Sequence, residues 1–226
     1  MQSAPSAGSI ARVAYTSSAM GAFRKSPLFD ERKAAEVAAF FLLRAKARQA
    51  NVTLLKLMKL MYLSERESYR QFGEPMIGDA LVSMRNGPVL SGTLDLINAT
   101  PEERDDGQYW DKLIAERTGR DMGLRSDSGV ASEDDLRGLS DSDIEILSDV
   151  WCRFGAMPAY RLSDYTHDPA NCPEWEDPSG SSIPIKTETL LECLGFSSDE
   201  IKASISHLRE RARIASQLAA ASPKAV

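Results

Sequence analysis

The chain has 226 residues, of which 27 are basic and 33 acidic, giving a formal net charge of −6. Its 42% apolar and 27% charged content is that of a globular protein. No run approaches the ~18 apolar residues of a membrane span, and an excess of acid argues against a nucleic-acid coat, which needs clustered Lys and Arg to neutralise phosphate. Cys152, Cys172 and Cys193 are too few and too scattered for a disulfide framework. They suggest a reducing compartment, the cytoplasm. Charge is unevenly spread. Residues 127–180 hold thirteen acids against three arginines, a local −10, which leaves the remainder at +4. Such faces are either solvated surface or a complementary partner surface.

Residues 1–25 are rich in Ala and Ser and lack acid and any periodicity, so they read as a disordered tail. A single domain is expected over 26–220, with a frayed tail over 221–226. The first helix should start near Asp30 and place Ala34, Val37, Phe40 and Phe41 on one face. The second, capped by Asn51 or Thr53 and stopped by Gly73, is apolar nearly all round between Leu54 and Leu63, so it should run through the centre of the fold. Its Lys59 must snorkel, or pair with an acid or carbonyl oxygens.

A short extended run is expected over 80–84. Asn86, Gly87 and Pro88 then break the chain, and Pro88 suits the first turn of a third helix over 89–98. Residues 109–116 and 120–125 read as a hairpin around Thr118 and Gly119, followed by a loop over 126–139. Ser140 caps the next helix, which Gly155 ends. A short helical piece is expected over 157–164 and a long loop over 165–186. Thr187 caps a helix to Leu194, and Ser197 or Ser198 caps the last one, which should fray from Ala219. The expected fold class is mainly α with a small β component: a compact multi-helix domain around a buried central helix, with a small β-hairpin.

Candidates for chemistry are few. His207 lies among charged neighbours on a helix. His167, Cys172, Cys152 and Cys193 lack the tight spacing of metal ligands, so no metal or cofactor is expected. A nucleophile built from Cys172 and His167 has Asp168 and Glu174 beside it, which would raise the thiol pKa. There is no phosphate loop, GxSxG or GxGxxG. The basic run Arg44, Lys46, Arg48 and Lys56 is interleaved with core-type residues, and no helix-turn-helix pair stands out, so nucleic acid is an unlikely partner. The reading is of a non-enzymatic interaction protein, against the alternative of a small hydrolase or transferase using His167.

Leu57-Met58-Lys59-Leu60-Met61-Tyr62 resembles the L-x-K-L-x-Y signature of the Panacea domain, the family of SocA-like antitoxins. The order of later elements also matches: Gly73-Glu74-Pro75, then Gly87-Pro88-Val89 opening a helix, then Leu162-Ser163-Asp164-Tyr165-Thr166-His167. The family's P-W pair appears here as Pro173-Glu174-Trp175, with one residue inserted. The resemblance covers roughly residues 31–195. It implies an antitoxin of a bacterial or prophage toxin–antitoxin system that binds a cognate protein toxin. The alternative within that family is an adaptor that delivers the toxin to a ClpXP-type protease.

The motif residues also have plain structural readings. Leu57, Leu60 and Tyr62 suit a core, and Gly87 and Pro88 a turn and a cap. Thr166 would bond to backbone, and His167 would pack on Trp175 to fix the long loop. Lys59 is either an internal tether or part of a pocket. By residue type, Tyr69, Arg70, Tyr109, Trp110 and Tyr165 are candidate exposed toxin contacts. The acids Glu133, Asp134 and Asp135 are candidates for meeting a basic toxin surface.

Overall fold

The computed structural model describes residues 26–99 and 108–221. The expected tail over 1–25, and all but Ala221 of the one over 221–226, lie outside the described residues. The fold is mainly helical with two small antiparallel sheets, as expected. None of its described helices is long and apolar enough to cross a membrane.

Helix α1 (Glu31–Ala47) begins where its cap predicts, with the Asp30 side chain accepting from Lys33 N. Its apolar face is fully buried from Ala34 to Phe41. Two-residue strand β1 (Val52–Thr53) leads into α2 (Leu54–Phe72), capped by Thr53 and ended by Gly73 at φ +67°. Leu57, Leu60, Met61 and Tyr62 of α2 are completely buried, each such side chain contributing ~1.5–3 kcal/mol. Helix α2 packs on α1, α5 (Asp141–Phe154), α6 (Ala159–His167) and a hairpin, so it is the central element that its composition foretells.

The hairpin lies elsewhere than expected. Strands β2 (Leu81–Met84) and β3 (Gly87–Leu90) pair antiparallel, and β5 (Ile183–Pro184) flanks β2 on its other side. Pro88 therefore sits in an edge strand, where its missing N–H breaks no ladder, and not in a helix. The third helix, α3 (Ser91–Asn98), starts later than expected because its cap is remote. Asp79 accepts the N–H groups of Gly92 (2.8 Å) and Thr93 (2.7 Å) and the Thr93 hydroxyl (2.8 Å).

The hairpin expected over 109–125 is only partly present. Residues Tyr109–Leu113 form a short helix, α4, because Glu31 on α1 accepts the N–H groups of Tyr109 (3.2 Å) and Trp110. A turn through Gly119 (φ +63°) remains, with bridges between Ile114 and Leu124 and between Thr118 and Asp121, and β4 (Asp121–Met122) pairs with β1.

Ser140 and Asp143 form the capping box of α5. Helix α6 runs to His167, three residues further than expected, so Thr166 and His167 sit in a last helical turn and not in a loop. Helix α7 (Thr187–Cys193) is preceded by Lys186 at its cap position, which makes Thr187 its first residue. Ser197 and Glu200 exchange bonds at the start of α8 (Ser198–Ala221), which is helical through Ala221 where fraying was expected.

Candidate functional site

The motif residues, far apart in sequence, converge on the turn between β2 and β3. Lys59, Tyr62 and Arg66 occupy one stripe of α2 at helical spacing. Lys59 is fully buried and donates from Nζ to the carbonyl of Pro88 at 2.7 Å. It is thus a tether to a carbonyl oxygen, one of the arrangements a buried ammonium requires. Burial pushes its pKa down to about 7.

From α6, Ser163 Oγ donates to the carbonyl of Asn86 (3.2 Å). His167 places Nε2 3.0 Å from the carbonyl of Arg85 and Nδ1 2.6 Å from that of Ser163. Trp175 Nε1 donates to the carbonyl of Met84 (3.1 Å) and meets the His167 ring edge-on, with centroids 4.4 Å apart. Thr166 is buried, and its hydroxyl donates to the Ser163 carbonyl (3.1 Å). Three carbonyls of one turn, those of Met84, Asn86 and Pro88, therefore accept from side chains of three other parts of the chain, and that of Arg85 faces His167 Nε2.

Gly87 closes this clamp. It adopts φ +90°, which L side chains rarely take. A Cβ there would lie 2.6 Å from Lys59 Nζ and 2.7 Å from Thr166 Oγ1.

Beside the clamp, Glu174 is buried and accepts from the Tyr62 hydroxyl and from Arg66 Nε (2.7 Å) and Nη2 (3.3 Å). Burial, reinforced by the Glu174 charge, pushes the Tyr62 phenol well above its ordinary pKa and keeps it a donor. Glu174 is the residue inserted between Pro173 and Trp175. It is an internal hub joining the loop to the central helix, a role that residue type and spacing did not reveal. An acid set between Pro173 and Trp175 was the one signal the sequence offered.

A second buried carboxylate, Glu65, accepts the N–H groups of Met76 (3.0 Å), Ile77 (2.7 Å) and Gly78 (2.8 Å), and so holds the loop that follows α2. Burial raises its pKa to about 7 against these three bonds.

The site offers little to covalent chemistry. Cys172 is buried, and burial with the nearby Glu174 charge pushes its thiol up to about 12. Both His167 nitrogens face backbone carbonyls. Among the described residues, no three His, Cys, Asp or Glu side chains group where they could hold a metal ion.

The model of the antitoxin SocA-like Panacea domain matches residues 57–176, more than half of the chain. The chain belongs to this family. No curated protein and no solved structure matches it. The matched segment of this Panacea protein begins at Leu57 and ends just after Trp175, so it contains the whole clamp and leaves out α1, α7 and α8.

The candidate toxin contacts fare unevenly as exposed anchors. Tyr69 and Trp110 are buried, at 5% and 2% exposure, because both face the core. Tyr165 packs on Phe154 with ring centroids 5.0 Å apart, and Tyr109 lies under the Arg32 guanidinium. Arg70 is exposed and bonded to Glu67. Glu133 is paired with Arg44 at 2.5 Å, and Asp135 accepts from the backbone of Ala131 and Ser132. Of those three acids, Asp134 alone stands in solvent without a hydrogen bond or ion pair.

Proposed function

We propose that this Panacea-domain protein is the antitoxin of a toxin–antitoxin pair and neutralises its toxin by direct protein–protein binding, without catalysis. The observation that carries this reading is the family match over residues 57–176. The clamp supports it in chemical terms. Its titratable and nucleophilic groups are buried or engaged with backbone, an arrangement suited to presenting a surface and not to turning over a substrate.

The test is co-expression with the product of the adjacent reading frame. That product should stop growth alone and permit it when this protein is present. A product harmless by itself, or still toxic with this protein present, would sink the reading. Running the same rescue in cells lacking a ClpXP-type protease separates the two modes: equal rescue means masking, and lost rescue means delivery for degradation.

A further inference from the structure

The clamp fixes the backbone of a turn and leaves its side chains free. Because the carbonyls of Met84, Arg85 and Asn86 are turned inward onto Trp175, His167 and Ser163, the side chains of Arg85 and Asn86 stand in solvent. Among the described residues, no carboxylate lies within ion-pair distance of Arg85.

A second, independent feature lies on the same face. Tyr160 is 64% exposed, more than the other large exposed aromatic, Phe72, at 55%. At 100° per residue it shares the stripe of α6 that carries Ser163 and His167, the two residues holding the turn. An exposed guanidinium and an amide thus stand on the turn between β2 and β3, and an exposed phenol ring stands one helical turn from the Ser163 that bonds it. Arg and Tyr are the residue types that dominate binding energy at interfaces. A turn whose carbonyls already accept from three side chains has little freedom left to lose on association.

Resting on the antitoxin reading, we infer that Arg85, Asn86 and Tyr160 form the anchor that binds the toxin, with Arg85 taking a carboxylate of the toxin and Tyr160 packing on adjoining apolar surface. Lys59, Ser163, His167 and Trp175 then serve binding as positioning residues, through the turn and without touching the partner. The shared motif and the contact surface are adjacent but distinct.

The test uses the full chain and the purified product of the adjacent reading frame. Arg85→Ala and Tyr160→Ala should each raise the Kd by ~30-fold or more and leave the thermal midpoint of the free protein unchanged, since neither side chain is buried. Arg85→Lys should recover part of the loss by keeping the charge without the fork. Arg48→Ala, at the C-terminal cap of α1 where its guanidinium lies over the Trp151 ring, is the control and should bind as wild type. If both alanine variants are folded and bind within ~3-fold of wild type, the anchor is elsewhere and the antitoxin reading stands. If wild type does not bind the product, the antitoxin reading fails and this assignment with it.

Discussion

Gly87→Ala is the sharpest probe of the clamp. The substitution acts twice. It places an L side chain at φ +90°, at ~1–3 kcal/mol. It also puts a Cβ 2.6 Å from Lys59 Nζ and 2.7 Å from Thr166 Oγ1. The ammonium is the far end of a flexible chain, but it is enclosed, and moving it breaks its bond to the Pro88 carbonyl, at a further ~1–3 kcal/mol for a buried group left unpaired. The expected loss is therefore ~2–6 kcal/mol by urea unfolding. Gly119→Ala supplies the comparison. Its φ is +63° and nothing lies within 4 Å of its Cβ position, so it should cost only the conformational part, ~1–2 kcal/mol. Adding Lys59→Met to Gly87→Ala should recover part of the loss, as a coupling of ~1 kcal/mol or more. Equal costs for the two glycine variants, with no coupling to position 59, would refute the close approach as a source of stability.

Three further outcomes follow from the same geometry. Lys59 titrates near 7 when folded, against an ordinary 10.5, so the unfolded chain binds the extra proton between those values and stability should rise with pH from about 7 to 10.5. Lys59→Met should remove up to ~1.4 kcal/mol per pH unit of that rise, and a wild-type-minus-variant difference that is flat with pH would contradict it. Glu65, raised to about 7, has the opposite effect: the folded state holds its proton longer, so its contribution falls as pH climbs from about 4.5 to 7. Glu65→Gln should flatten that fall and cost ~1–3 kcal/mol near neutrality by spoiling one of the three backbone bonds, both read from unfolding curves at several pH values. Finally, Glu133→Lys should cost less than ~1 kcal/mol, because its pair with Arg44 is partly solvated. Asp134→Lys should leave stability unchanged, and a melt that separates these two by several degrees would show a stronger bridge than the geometry allows.

Much of the local architecture was legible because its determinants are local. Asp30, Thr53 and Ser140 accept from N–H groups three residues along, and Gly73 takes the left-handed turn that ends α2. The run from Leu54 to Leu63 has too little polar surface for a solvated helix, so its central position follows from composition alone. The pairing of His167 with Trp175 and the bonding of Thr166 to backbone were also foreseeable, although both were expected in a loop.

Two of the misplaced elements share one cause. Helices α3 and α4 are started by carboxylates from outside themselves, Asp79 and Glu31, the latter from α1. Glu65 likewise organises a loop eleven to thirteen residues away. No window of sequence displays such a cap. Tyr69 and Trp110 look like exposed anchors by type, and only folding shows that both are buried, while Tyr160 is exposed on the α6 stripe that carries Ser163 and His167.

The sequence by itself therefore determined the helical class, the central helix, the local caps and, through spaced motifs, the Panacea family. Tertiary structure decided what those motifs do. Residues 59, 87 and 175 and the α6 pair 163 and 167 are separated by too many positions for periodicity to connect them. Only folding brings their donors onto the carbonyls of one turn, because buried backbone acceptors must be paired wherever in the chain the donors lie.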